Sequence, residues 1–190
     1  RCLSDTNVFV YNPPADQNPY SGISREDVQR IQERAMRNGA VLFLYLDGMP
    51  AKIEYRRDFK EYGLQQTWYP DGRTRTVEHY DTGKLRDGVY FGKTGEILSR
   101  IDNGTGTKII FSEPLKMDGG LIQGTVDYVE GVKDGVEIYY FDCEKKLKSQ
   151  ECHYREGKLH GAKTRWMPTG EKNSEELYKD GRQHGKSICW

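Results

Sequence analysis

Two stretches near the end of the chain decide the fold: YREGKLHGAKTRW at 154–166 and YKDGRQHGKSICW at 178–190. Five residues of the first stretch recur in the second at one constant offset of 24 residues. The pairs are Tyr154 and Tyr178, Gly157 and Gly181, His160 and His184, Gly161 and Gly185, and Trp166 and Trp190. A fixed period of this length is the sequence signature of a repeat architecture.

The same unit recurs upstream in less regular form. Its frame residues are Tyr80, Gly83, Tyr128, Gly131, Gly135, Tyr154, Gly157, Gly161, Tyr178, Gly181 and Gly185. Turns such as YPDG at 69–72 and MPTG at 167–170 are typical of β-hairpins. One hairpin cannot bury its own apolar face, so the hairpins are expected to stack on each other. Residues 39–190 are therefore predicted to be mainly β, an elongated antiparallel meander of tandem β-hairpin repeats of about 24 residues.

The first 38 residues lack this pattern and form a separate predicted segment. Residues 1–22 contain three prolines and several Asn and Asp turn formers, which predict an extended arm. Ser24 as N-cap, with Asp27 three residues later, starts an amphipathic helix predicted over about 24–38. Its apolar stripe consists of Val28, Ile31 and Ala35.

Composition excludes several classes of function. Lys plus Arg and Asp plus Glu are both 29, so the formal net charge is zero. A general nucleic-acid binder or a protein held on anionic lipid needs a surplus of cations, so neither partner is expected. The longest apolar run, AVLFLYL at 40–46, is far shorter than a membrane span.

The four cysteines suggest an oxidising compartment. Their even number, in a sequence that starts at Arg1 rather than Met, favours an exported protein, in the bacterial periplasm, with its signal peptide absent from this sequence. A cytoplasmic protein with four reduced thiols is the alternative. Strand alternation predicts that Cys152 opposes Trp166 and shares a face with it, and that Cys189 lies on the other face. The longer unit FDCEKKLKSQEC then favours a Cys143–Cys152 bond, which leaves Cys2–Cys189 by elimination.

No residues form a recognisable catalytic or cofactor site in the sequence. Gly-x-Ser-x-Gly, His-Glu-x-x-His and complete phosphate-loop motifs are absent, and GKTG at 92–95 is predicted to be a hairpin turn. His160 and His184, two strands apart, are expected about 10 Å from each other, too far to share one metal ion. The prediction is a protein that is not an enzyme and has no metal or cofactor.

The tandem motif Tyr-x-x-Gly-x-x-x-Gly-x-x-x-x-Trp resembles the MORN-type repeats, and more closely their bacterial variant. The resemblance covers about 39–190 and implies a hairpin ribbon without catalytic chemistry. Many bacterial members are described as antitoxin or immunity components, so it implies a protein partner, a toxic effector of secreted lipase or nuclease type. The alternative is a structural or membrane-associated scaffold, as proposed for eukaryotic MORN proteins. The chain departs from the family pattern at FSEPLKMDGG (111–120) and at the turn FDCEKK (141–146), which lacks glycine.

Exposed aromatic side chains are the natural anchors of a binding surface. The candidates are Trp68, Tyr69, Tyr139, Tyr140, Trp166 and Trp190. Because equivalent aromatics recur in successive repeats, the alternative is a ladder that holds the hairpins together. Features that do not repeat, namely the arm at 1–22 and the insertion at 111–120, are predicted to be better places for specificity.

Overall fold

A computed structural model of the chain describes residues 8–11, 37–45, 47–112 and 120–190. The arm predicted at 1–22 is described only at Val8–Tyr11, which is a β-strand. The predicted helix at 24–38 lies outside the described residues except at its end, where a strand already begins at Asn38. Cys2 and the central part of the insertion also lie outside them.

The described residues form one sheet of 15 strands. Its strands are β1 (Val8–Tyr11), β2 (Asn38–Leu44), β3 (Pro50–Arg57), β4 (Lys60–Glu61), β5 (Gly63–Trp68), β6 (Thr74–Asp81), β7 (Lys84–Phe91), β8 (Ile97–Asp102), β9 (Thr105–Phe111), β10 (Ile122–Val129), β11 (Val132–Asp142), β12 (Leu147–Arg155), β13 (Lys158–Trp166), β14 (Lys172–Lys179) and β15 (Arg182–Cys189). Strands follow each other in chain order, with the short β4 paired beside β3. Apart from the parallel pair β1 and β2, all pairings are antiparallel. The predicted antiparallel β-meander is thus confirmed.

Tight turns occupy one end of this sheet. Five of them place a non-glycine residue and then a glycine in the left-handed region: 82–83, 103–104, 130–131, 156–157 and 180–181. Two successive positive φ angles define a type I′ turn, whose twist matches that of the flanking strands. The first glycine of each repeat therefore supplies the second turn residue.

Longer turns occupy the opposite end of the sheet. In four of them the glycine amide donates to the carbonyl three residues earlier, at 45–48, 69–72, 92–95 and 167–170, and the glycine φ lies between 82° and 90°. This is the type I turn with a left-handed glycine that joins hairpin strands. YPDG, MPTG and GKTG all form such turns, as predicted.

The middle of the sheet curls strongly. The ring of Tyr69 at the end of β5 lies 6.3 Å from the ring of Phe111 in β9, edge to face. Four strand spacings separate these strands, about 19 Å in a flat sheet. The face enclosed by this curl, here called the inner face, holds a buried cluster of Tyr80, Leu85, Tyr90 and Ile101, against which Ile109, Phe111 and Tyr128 pack.

Carboxylates lie beside this cluster. The hydroxyls of Tyr90 and Tyr80 donate to the buried Glu78 at 2.7 and 3.0 Å. Lys108 Nζ lies 2.7 Å from the same carboxylate. Burial and the neighbouring glutamates raise the pKa of Tyr128 to about 12. Since buried polar groups are tolerated only when they are paired, this single-layer sheet uses hydrogen-bonded Tyr–Glu–Lys groups where a two-layer protein has aliphatic residues.

The strand register corrects the predicted cysteine arrangement. Cys152 pairs with Lys163, not with Trp166, and the chain of partners places Cys189 on the same face. The tight turn falls at 156–157, with Arg155 opposite Lys158, so Lys163 and not Trp166 lies opposite Cys152 even with the register shift at Gly161. A further register shift between Arg165 and Trp166 breaks the alternation on which the predicted face of Cys189 rested. Cys143 lies six residues beyond Glu137, the partner of Cys152, so about 20 Å separates the two cysteines, against at most about 7 Å between the Cα atoms of a disulfide. The predicted Cys143–Cys152 bond is therefore not formed, and Cys143, Cys152 and Cys189 are free thiols.

One tight turn lacks glycine and generates a stability prediction. Asp58 and Phe59 adopt φ angles of 50° and 63°, and Phe59 is 62% exposed. A side chain in this region costs about 1 kcal/mol or more, and this ring buries little in return. We expect Phe59→Gly to raise the free energy of unfolding by about 1 kcal/mol.

The measurement is urea denaturation of the variant beside Gly157→Ala. Gly157 has a φ of 77°, and an added Cβ would meet only ordinary contact with Val132. The alanine variant should lose stability of similar magnitude for the same conformational reason. A lower unfolding midpoint for Phe59→Gly would contradict this account of the turn.

Candidate partner-binding site

The departures from the repeat pattern meet at one place. The stretch GVYFGKTGEILSRI at 88–101 is a compressed copy of the repeat, although its turn is regular. Its residues Gly92, Lys93, Glu96 and Leu98 line one groove together with Tyr69, with 120–123 at the end of the insertion and with 140–144 at the turn FDCEKK. We call this feature the turn groove; its volume is about 720 Å³. It lies at the end of the sheet that carries the longer turns.

Backbone geometry sets the groove's outer wall. In the turn 143–146 the amide of Lys146 donates to the carbonyl of Cys143, and Lys146 takes the left-handed position with φ 54°. The four regular longer turns have glycine there. A non-glycine residue held in this conformation stores strain, which is typical of sites where function constrains the sequence.

Apolar side chains are exposed in the groove. Leu98, Leu121 and Phe141 are 37%, 53% and 48% exposed. Tyr69 and Tyr140 also line it, while Lys93, Glu96, Asp142 and Glu144 provide charge. Apolar side chains surrounded by polar ones are the arrangement found at protein interfaces.

The charges at the rim are stable near neutral pH. A hydrogen bond from the Thr94 side chain holds the pKa of Glu96 below its usual value. The backbone amide of Lys145 does the same for the pKa of Asp142. Burial, reinforced by Asp142 and Glu144, raises the pKa of the Cys143 thiol. The groove therefore presents carboxylates and a protonated thiol, not a reactive thiolate.

The structure separates the predicted aromatic anchors into two groups. Tyr69 and Tyr140 line the turn groove, although Tyr69 is only 4% exposed and its hydroxyl donates to the carbonyl of Phe91 at 2.9 Å. The others lie elsewhere: Trp68, Tyr139, Trp166 and Trp190. They are not brought together.

The outer tryptophans have matching environments. The ammonium of Lys148 lies 5.6 Å from the ring of Trp166, and that of Lys172 lies 5.6 Å from the ring of Trp190. This repeated cation–π contact favours the ladder that was the alternative to partner binding. Trp190 nevertheless remains 57% exposed.

Three exposed apolar residues of the groove were absent from the sequence prediction: Leu98, Leu121 and Phe141. Each belongs to a short apolar or aromatic stretch that looks like an ordinary strand position. The signal that could have identified them was the break in the repeat: Leu98 lies in the compressed copy at 88–101, Leu121 follows the insertion, and Phe141 begins the turn FDCEKK.

The repeated histidine has a structural explanation. In several hairpins, a polar residue that precedes a strand glycine lies opposite the next tight turn. Its side chain accepts a hydrogen bond from, or faces, the backbone amide of the first residue of that turn. Asn38 Oδ1 receives the amide of Asp58 at 2.8 Å, Asp87 that of Asn103 at 3.2 Å, and Asp134 that of Glu156 at 3.1 Å. His160 Nδ1 takes this place opposite Asp180, 3.5 Å from its amide nitrogen and 3.2 Å from its carboxylate.

His160 and His184 lie on β13 and β15, with β14 between them. Among the described residues, no group of three or more His, Cys, Asp or Glu side chains could hold a metal ion. No helix within that part of the chain is long and apolar enough to cross a membrane. No known protein-family profile and no curated protein matches this chain.

The capping role of His160 can be tested by substitution. We expect His160→Ala to lower Tm by about 1–3 °C, because a net hydrogen bond is lost. His160→Asn should retain the wild-type Tm, since Asn38 already performs this role in another repeat. His184→Ala, in the fully exposed strand β15, is the matched control. Equal losses in both alanine variants, measured by calorimetry, would contradict a specific cap at His160.

The Cys143 environment generates a second prediction. In a background with Cys2→Ser and Cys189→Ser, the rate of Cys143 alkylation should keep rising above pH 9, because its folded pKa is raised from the ordinary value. Replacing Asp142 and Glu144 by their amides removes two negative neighbours and should shift this profile to lower pH. An unchanged profile would show that these carboxylates do not act on the thiol. Buried Cys152 should label slowly throughout.

Proposed function

We propose that this protein is a non-enzymatic protein-binding module of the immunity or antitoxin type, which binds and neutralises a toxic effector through the turn groove. The observation behind the proposal is the convergence of three departures from the repeat on one groove. Regular positions are constrained by hairpin stacking, whereas irregular positions are available for recognition. The resemblance to bacterial MORN variants suggests the class of partner.

The groove has the size and chemistry expected of such a contact. Its volume of about 720 Å³ accommodates a few side chains of a partner. Burial of Leu121 and Phe141, which are about half exposed, would remove apolar surface from water. Charged residues around them favour a specific orientation more than they add affinity.

The side chains with catalytic potential have other roles. His160 faces a turn, and the raised pKa of Cys143 keeps its thiol protonated. These observations support a binding function over nucleophilic or acid–base catalysis. Export to the periplasm remains a prediction from the cysteine count, and the disulfides that would accompany it have no support in the three described thiols.

The experiment is a protection assay with the product of a neighbouring gene that arrests growth when expressed alone. Wild-type protein should restore growth and bind that product directly. Leu121→Asp and Phe141→Asp should weaken binding by at least about tenfold, as expected for interface anchors. Leu177→Asp, at an exposed apolar residue on β14 that is 43% exposed, is the matched control and should retain protection.

Two results would contradict the proposal. If Leu121→Asp, Phe141→Asp and Leu177→Asp all retain wild-type protection, the interface lies elsewhere. Co-flotation with anionic vesicles, unaffected by the groove variants and without any growth-arresting partner, would instead favour the membrane-associated scaffold. All variants should first be shown to unfold at wild-type urea concentrations, so that loss of binding is not loss of fold.

A further inference from the structure

A second and much smaller cavity lies on the inner face. Its volume is about 160 Å³, and it is lined by residues from β3, β5, β6 and β9 that the curl of the sheet brings together. Ligand pockets for drug-sized molecules are usually about 300–1,000 Å³. This cavity therefore suits a compact group, not an aromatic ring or a sugar.

Cations predominate in its lining. Lys52, Arg75 and Lys108 all face the cavity, whereas Glu78 is the one carboxylate among the described lining residues. Glu78 already receives the hydroxyls of Tyr80 and Tyr90 and pairs with Lys108. Both of its oxygens are thus already engaged.

The charged residues just behind the cavity lining leave the total charge of the region positive. Lys52 Nζ lies 2.5 Å from Glu54, but Arg56 also pairs with that carboxylate, at 3.3 Å. Burial raises the pKa of nearby Glu61 from its ordinary value. Among the described residues, four cationic side chains therefore stand against three carboxylates, two of which are engaged in ion pairs.

Donor geometry favours an oxyanion. Arg75 is 3% exposed and donates to Thr67 Oγ1 at 3.2 Å and to the carbonyl of Ser112 at 3.2 Å. Its guanidinium is also held over the Phe111 ring, 5.2 Å from the centroid. The hydroxyls of Thr67 and Thr76 lie 2.7 Å apart at the same wall. A fixed guanidinium with lysines and hydroxyls beside it is the donor set used to bind carboxylate and phosphate groups.

We infer that the inner-face cavity is a binding site for a compact oxyanion, a phosphate or a carboxylate. The ligand has two possible sources: free inorganic phosphate, or an Asp or Glu side chain of a bound protein. Both would be held by the same residues, Lys52, Arg75 and Lys108. This inference does not depend on the turn groove or on the identity of a toxic effector.

The test is a titration of the purified protein, followed by amide NMR shifts and by Tm, at constant ionic strength set with chloride. The first probe is inorganic phosphate; the second is N-acetylglutamate amide, with N-acetylglutamine amide as its uncharged counterpart. Saturable shifts confined to strands β3, β5, β6 and β9 are expected, with a rise of about 3 °C in Tm at ten times Kd.

Lys52→Gln is the main variant because its side chain is 29% exposed and the fold should tolerate the change. Lys148→Gln is matched to it: both lysines pair with a glutamate at 2.5 Å and lie over an aromatic ring, but Lys148 is remote from the cavity. Lys52→Gln should weaken binding at least fivefold, whereas Lys148→Gln should not change it. Arg75→Lys, which keeps the charge but loses the guanidinium fork, should also weaken it.

The outcomes separate the two sources. Phosphate binding without glutamate binding indicates a free ion, and glutamate binding that the glutamine counterpart lacks indicates a partner's carboxylate. The inference is overturned if neither probe gives saturable shifts. It is equally overturned if Lys52→Gln and Lys148→Gln lose binding to the same extent, because the effect would then come from general surface charge.

Discussion

The structure depends on one hydrogen bond that recurs along the tight-turn end of the sheet. The amide of the turn glycine donates to a carbonyl of the preceding hairpin, as Gly157 does to Lys133 and Gly181 to Leu159, both at 2.8 Å. The same residue also supplies the left-handed φ that closes its own turn. One glycine therefore sets both the shape of a hairpin and its position relative to the hairpin before it. In a sheet without a second layer, such nearest-neighbour contacts determine whether the repeats form one body.

The sheet curls where the contact between successive hairpins departs from this pattern. The amide of Gly104, in the tight turn between β8 and β9, donates to the carbonyl of Arg86, and the amide of Gly131 donates to that of Gly104 at 2.9 Å. A Cβ on Gly104 would lie 2.4 Å from the Gly131 nitrogen, so only glycine permits this approach. The short strands β8 and β9 thus bring the next turn close to β7. The curl that results encloses the inner face, and at the opposite end it brings the irregular turns together around the turn groove.

The sequence predicted the local parts of this structure well. Glycine spacing and Pro-x-Gly turns predicted the hairpins and the meander, because φ preferences and strand alternation act over a few residues. The position of the tight turn at 156–157 was not predictable from alternation, and together with the register shift beside Gly161 it places Lys163, not Trp166, opposite Cys152. Tyr69 appeared to be a surface anchor but is buried through a contact with Phe111, which depends on curvature. Of the six predicted aromatics, only Tyr69 and Tyr140 line the groove. The others were misplaced because the site is assembled from turns that are distant in sequence and that curvature brings together.

The groove also lies beside the buried part of the sheet. Its lining strands adjoin the buried cluster around Leu85 and Tyr90, both fully enclosed, whereas every residue of β15 is exposed. A recognition surface needs side chains held in place before the partner arrives, since ordering them on binding reduces affinity. The irregular turns lie where the curl already provides that order. The outer hairpins have fewer buried contacts and keep the regular repeat pattern.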